Sequence, residues 1–215
     1  MLNRQKASIE ELERICRVLR RDILGMIHAA GSGHPGGSLS SVEILAALYF
    51  SEMRVDPADP CDPERDRFIL SKGHIAPALY AALAERGFFP KDTLNTLRRL
   101  GSPMQGHPHM LHCAGLDCSS GSLGQGLSVA NGLALAARRR NAGYRTYCLT
   151  GDGELQEGQI WEAAMSAAHY KLDNLCAIVD YNGVQLDGTT KDIMNVDPVA
   201  EKWAAFNWNV ICCDG

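Results

Sequence analysis

Two short apolar runs, Tyr144 to Thr150 and Leu175 to Val179, bracket a segment of helical periodicity. This arrangement constrains the chain more than any other feature. The first run (YRTYCLT) is β-prone and bounded by glycines, so it reads as a strand. From about Gly158 to Lys171, Ile160, Ala164, Ala167 and Ala168 share one face, as in a helix. Leu175 to Val179 is continuously apolar, which predicts a strand buried on both faces of a parallel sheet. A β-α-β unit follows, with parallel strands and a right-handed crossover. The fold class expected is therefore α/β, a doubly wound and mostly parallel sheet flanked by helices.

The chemistry sits at the ends of those strands. Gly151-Asp152-Gly153-Glu154 closes the first run, and Asn182 follows Asp152 by 30 positions, just past the second. Open α/β sheets bind ligands along the rim formed by the carboxyl ends of their strands. Gly151 and Gly153 let the backbone turn sharply near a ligand, and free N–H groups at a helix start suit a diphosphate. The oxygens of Asp152 and Asn182 are hard donors, suited to Mg²⁺ or Ca²⁺ shared with phosphate. A GDG alone is also what any turn after a strand can look like. The downstream Asn and the run Leu155-Gln156-Glu157-Gly158 favour a site.

Three Gly-His pairs, Gly33-His34, Gly73-His74 and Gly106-His107, fall in loops beside element ends. Imidazoles there move protons near neutral pH and bond to hydroxyls or phosphate; three unrelated loop histidines are the plainer alternative. The cluster from His107 to Cys113 has enough N and S atoms for zinc, but adjacent positions close a tetrahedron poorly and no paired CxxC accompanies them. Glu157 and Glu162 lie early in the predicted helix, where carboxylates favour the dipole.

Several motifs in one order, SGHPGGSLS, RFILSKGH, GHP, GSLGQGLS, GDGELQEGQ-WEA, HYKLDNL-AIVDYNG and AEKWAAFNWNVICCDG, resemble the N-terminal, diphosphate-binding part of transketolase. The likeness runs from about Leu19 to Gly215. Two departures stand out: Tyr181-Asn182 replaces a usual Asn-Asn, and Ser122 stands where a Pro is common. Neither removes a ligand.

The resemblance implies thiamine diphosphate and Mg²⁺ as cofactors, with Ca²⁺ or Mn²⁺ able to substitute. Asp152, Asn182 and the backbone carbonyl of Val184 would hold the metal. Gly121, Ser122, Leu123, Gly151, Gly153, Glu154, Glu162 and His74 would contact the cofactor, while His34 and His107 would meet a ketose. Glu157 would face a subunit interface. Thiamine diphosphate carries the hard chemistry of such enzymes, here the transfer of a two-carbon ketol unit from a ketose phosphate to an aldose phosphate.

In that family a second, pyrimidine-binding domain supplies a carboxylate to the cofactor. We find no such domain, since one sheet consumes the 215 residues. The expectation is a split enzyme: one diphosphate-binding domain over 1–215, lacking its C-terminal end as a cut piece or a short subunit. A pyrimidine-domain subunit would complete it, as a heterotetramer whose subunits also self-associate. Two alternatives stay open: another thiamine-diphosphate enzyme, of deoxyxylulose-phosphate synthase or E1 type, and a non-catalytic structural or regulatory fragment.

A net charge of −4 gives no reason to expect nucleic acid, and no apolar run is long enough for a membrane span. The start reads as a charged amphipathic helix and no signal peptide. Cys16, Cys148, Cys176 and Cys212, within apolar runs, read as buried free thiols of a reducing cytoplasm. Capping boxes are predicted at Ser8–Glu11 and Ser40–Glu43, a helix from Asp92 to Leu100 and another from Leu123 to Asn141. Asp197 is expected to cap a helix starting at Pro198, leading to a strand at Val210 to Cys213.

Overall fold

A computed structural model describes residues 6–214, and two compact units emerge from it. One reaches up to Asp66 and resumes over Gly73–Gly121; the other joins Arg67–Lys72 to the chain from Ser122 onward.

The first unit is helical. Helix α1 spans Ile9–Ala30, and its capping box forms as the sequence predicts: Ser8 Oγ accepts from Glu11 N at 3.2 Å, and Glu11 accepts from Ser8 N at 2.8 Å. Ile15, Leu19, Ile23 and Met26 make its buried stripe, and Gly31, at φ +63°, ends it. The second capping box does not form. Pro35 starts an earlier helix, α2 (Pro35–Ser40), which puts both serines at its end, and the hydroxyls of Ser40 and Ser41 donate back to the carbonyl of Gly37 at 3.0 and 3.1 Å. Hydroxyls spent on the preceding turn are not free to cap the next one. Helix α3 (Val42–Ala47) therefore begins uncapped and runs through a π turn to Glu52. Helix α4 (Ala76–Arg86) is buried from Ala76 to Ala84. The predicted helix from Asp92 to Leu100 shrinks to a 3₁₀ turn, Lys91–Thr96.

The second unit holds the sheet. Strands β1 (Arg67–Leu70), β2 (Thr146–Gly151) and β3 (Leu175–Asp180) lie in the order β1-β2-β3, all parallel, with Arg67 opposite Thr146 and Gly151 opposite Asp180. Helix α5 (Gly126–Arg140) starts three residues later than predicted, and helix α6 (Gly158–His169) makes the β2-to-β3 crossover. The buried amide of Asn131 on α5 donates to Ala163 O on α6 at 2.8 Å, fixing one helix against the other. Beyond the sheet come a two-residue hairpin, β4 (Val184–Gln185) with β5 (Gly188–Thr189), then α7 (Thr190–Ile193) and α8 (Val199–Ala205).

Four expectations in this unit are corrected. Strand β3 is not buried on both faces, because only Leu175 and Asp180 are fully buried and Cys176 is exposed. Val210 to Cys213 is not a strand, and Ile211 is 77% exposed. Among the described residues no strand pairs with the far edge of β3, and Val210–Cys213 forms no ladder there. Cys176 and Cys212 are exposed, whereas Cys16 and Cys148 are buried; none of the eight cysteines forms a disulfide. Asp197 does not cap α8. Its carboxylate accepts instead from the Tyr181 hydroxyl at 2.6 Å, and Pro198 holds the cap position. Among the described residues no helix is long and apolar enough to cross a membrane.

Within the first unit, Arg65 and Asp117 form a bidentate pair at 3.0 and 2.6 Å, each side chain 6% exposed. Arg20 and Glu43 pair at the surface, at 41% and 57% exposure. Removing one partner of a buried pair strands the other charge, at a cost of roughly 3–5 kcal/mol, whereas an exposed pair contributes about 0–1 kcal/mol. Denaturant unfolding of Arg65→Ala and Glu43→Ala is expected to separate by that difference. Equal losses in the two would contradict it.

Candidate active site

The carboxyl ends of β1, β2 and β3 converge on one rim of the sheet. Asp152 stands there just after β2, only 2% exposed. Its Oδ1 accepts from Gly153 N and its Oδ2 from Gly183 N, both at 2.7 Å, and its own N–H donates to Asp180 O at 3.2 Å. One carboxylate thus bridges the turn after β2 to the loop after β3. Asn182 lies in that loop, its Oδ1 accepting from Val184 N at 2.9 Å. The structure brings Asp152 and the stretch Asn182–Val184 together, as the spacing predicts. Burial raises the Asp152 pKa, opposed by the two backbone donors. A Cβ on Gly153 would crowd the Gln185 side chain at 3.2 Å and push it aside by a few tenths of an ångström.

Glu154 goes elsewhere. Its side chain turns into the protein, where Oε1 accepts from Ser71 Oγ at 2.5 Å and Gly124 N at 2.8 Å, and Oε2 accepts from Gly151 N at 3.0 Å. Ser71 Oγ also accepts from Gly126 N at 3.1 Å, and a Cβ on Gly126 would collide with that oxygen. The carboxylate therefore ties the ends of β1 and β2 to the start of α5, and with it the Ser122–Leu123 stretch. Burial raises the Glu154 pKa against the pull of these donors. The resemblance gave Glu154 a contact with the cofactor; here its side chain ties backbone segments around the rim. The residues after Asp152 form a 3₁₀ turn, Gly153–Gln156, and α6 starts only at Gly158.

Sequence reasoning missed Lys72 and Asp180. Lys72 Nζ donates to Asp180 Oδ2, with residue exposures of 2% and 7%. A lysine directly after an apolar strand was the available signal, inside the RFILSKGH run, but its partner is 108 positions away.

In the helical unit the three Gly-His histidines are gathered. The rings of His34 and His74 lie 5.1 Å apart, edge to face. Gly121, at φ +153°, packs on the His107 ring, where a Cβ would sit 3.1 Å from Cδ2. Gly73 is crowded by Ser120 and the Gly121 backbone, with a Cβ falling 2.7 Å from Gly121 N. Burial, the Arg98 guanidinium and His34 together lower the His107 pKa, so its imidazole is neutral near pH 7. In the sheet unit, Ser122 is exposed and Leu123 half-buried, and Glu157 and Glu162 both face solvent.

A family model described as transketolase, thiamine diphosphate binding domain, matches residues 10–215. The chain belongs to the transketolase family. It is 50% identical over 205 residues to the 6-deoxy-6-sulfo-D-fructose transketolase subunit SqwG of Clostridium sp. (strain MSTE9), covering 95% of this chain and 74% of that one. It is 46% identical over 215 residues to an apulose-4-phosphate transketolase subunit of Actinobacillus succinogenes, covering all of this chain and 78% of the relative. Human transketolase is 44% identical over 208 residues, and the match spans only 33% of its length. Among solved structures, transketolase from Leishmania mexicana superposes with a TM-score of 0.88 at 33% identity, over 96% of this chain and 32% of that one. This transketolase-family chain thus spans about three quarters of the named subunits and about a third of the longer enzymes.

An NMR titration of the imidazoles is expected to place the His107 midpoint below the ordinary histidine value of about 6.5. Replacing Arg98 with Gln removes one of the cations that hold it there, so the midpoint rises. An unmoved midpoint would remove Arg98 from the explanation.

Proposed function

We propose that this chain is the diphosphate- and metal-holding subunit of a split transketolase, moving a two-carbon ketol unit from a ketose phosphate to an aldose phosphate. The observation that carries the reading is the buried Asp152 carboxylate, bridged to the Asn182–Val184 loop. Two relatives named as transketolase subunits, matched over about three quarters of their length, support it.

The residues present fit a hard cation. Asp152, Asn182 and the Val184 carbonyl are all oxygen donors, the set that Mg²⁺, Ca²⁺ or Mn²⁺ prefers. Asp152 is buried, its pKa is raised by that burial, and each of its oxygens accepts from one backbone N–H. A carboxylate has about four acceptor sites, so lone pairs remain for a metal, whose charge would offset the burial.

Thiamine diphosphate would supply the carbon centre that takes up and hands on the two-carbon unit. The chain's own residues would bind and orient. Backbone N–H groups of the Gly121–Leu123 stretch would receive the diphosphate, while Gly151 and Gly153, whose N–H groups donate to Glu154 and Asp152, would line the turn beside it. Glu154 would act through them, by holding the Ser122–Leu123 backbone in place. His34 and His107 would hydrogen-bond the hydroxyls of the ketose, with neutral His107 able to accept a proton at one ring nitrogen. His74 would meet the cofactor. The exposed Glu157 and Glu162 suit contact with a partner and with the cofactor's ring region.

That partner would be a separate polypeptide carrying a pyrimidine-binding domain, assembled with residues 1–215 as a heterotetramer. Eight cysteines without a disulfide suit a reducing compartment such as the cytoplasm.

Two measurements test the reading. Calorimetric titration with Mg²⁺ and thiamine diphosphate is expected to show binding that Asp152→Ala or Asn182→Ala weakens by more than about 100-fold, beyond the ~10–100-fold typical of outer-shell changes. Unchanged affinity in both variants would refute the metal assignment. Ketol transfer is expected only when a pyrimidine-domain subunit is added, and robust turnover by the chain alone would rule out the split enzyme.

A further inference from the structure

The buried pair Lys72–Asp180 has no part in the function proposed so far. Lys72 follows the end of β1 and Asp180 ends β3, so they reach across the strand that carries Asp152. Lys72 Nζ donates to Asp180 Oδ2, and the same oxygen accepts from Asn182 Nδ2 at 3.4 Å. An amide that donates through Nδ2 on one side presents Oδ1 on the other, and Asn182 Oδ1 faces the Val184 N–H. Flipped, the amide would set Oδ1 against the Asp180 carboxylate, two acceptors with no proton between them. Asp180 and the Val184 N–H therefore hold Asn182 the same way round.

Lys72 answers a charge problem. Asp152 and Asp180 are both buried at the same rim, and each raises the cost of ionising its neighbour. The Lys72 ammonium lies within that group, its own pKa lowered by burial and held up by Asp180. Well-packed apolar side chains commonly hold a core as firmly as a buried ion pair does. Stability alone thus gives no account of the pair, whereas orientation of a cation ligand does.

We propose that Lys72 and Asp180 are positioning residues for the cation site: Asp180 orients the Asn182 amide, and Lys72 balances the charge of that acceptor. The proposal rests on the reading that Asp152 and Asn182 hold a divalent cation with thiamine diphosphate. It adds two residues that would touch neither the cation nor the cofactor.

The test uses the full chain with its pyrimidine-domain partner, titrated with Mg²⁺ by calorimetry in the presence of thiamine diphosphate. Asp152→Ala is the control for the underlying reading. The double variant Lys72→Met/Asp180→Leu removes the pair without stranding either charge. It is expected to melt near the unmutated protein yet bind Mg²⁺ about 10–100-fold more weakly, the usual effect of losing outer-shell support. Mg²⁺ affinity within twofold of the unmutated protein would overturn the proposal while leaving the metal site standing. No Mg²⁺ binding by the unmutated complex, or none lost in Asp152→Ala, would instead sink the underlying reading and this one with it. A second measurement needs no variant. A crystal structure of the complex with Mg²⁺ and thiamine diphosphate is expected to show Asn182 Oδ1 on the cation and Nδ2 turned to Asp180. Nδ2 turned away from Asp180 overturns the proposal even where the double variant fails to fold.

Discussion

Burying charge at one rim of a small parallel sheet is the constraint on which the sheet unit depends. Asp152, Glu154, Asp180 and Lys72 are all at most 7% exposed, and a buried charge is costly unless it is paired and hydrogen-bonded. Parallel strands make the crowding unavoidable, because every strand delivers its carboxyl end to the same side. The positions of Ser71, Gly124, Gly126 and Gly183 follow from satisfying those charges.

The burden is shared unevenly. Glu154 has three donors from three segments, and it fixes the start of α5 to the ends of β1 and β2. Asp180 has an ammonium and an amide. Asp152 has two backbone N–H groups and only a distant share of the Lys72 charge. It is the least compensated of the three, which is why the proposed reading places a cation there. On that reading, support and binding come from neighbouring carboxylates with opposite uses of the same burial.

Much of this was legible locally. The β-α-β unit, the GDG turn, the capping box at Ser8 and the glycine end of α1 all depend on short-range rules of period, hydrogen bonding and backbone freedom. The failures were also physical. Ser40 matched a capping pattern, but Pro35 had already started a helix that claimed its hydroxyl. Val210–Cys213 had strand composition but joins no ladder. Nothing in the spacing of Glu154 says that Ser71 and Gly124 would close over it.

By itself the sequence determined the fold class, the placing of Asp152 beside the loop of Asn182 and the three histidine loops, since each is carried by local periodicity or by residues at short, fixed spacing. Only the tertiary structure decided that Glu154 turns inward, that Lys72 meets Asp180 and that the Gly-His histidines share one unit. Those contacts join residues 83 and 108 positions apart, or lie between separate loops. They exist because the packing of strands and helices sets which side chains must satisfy one another once water has been removed.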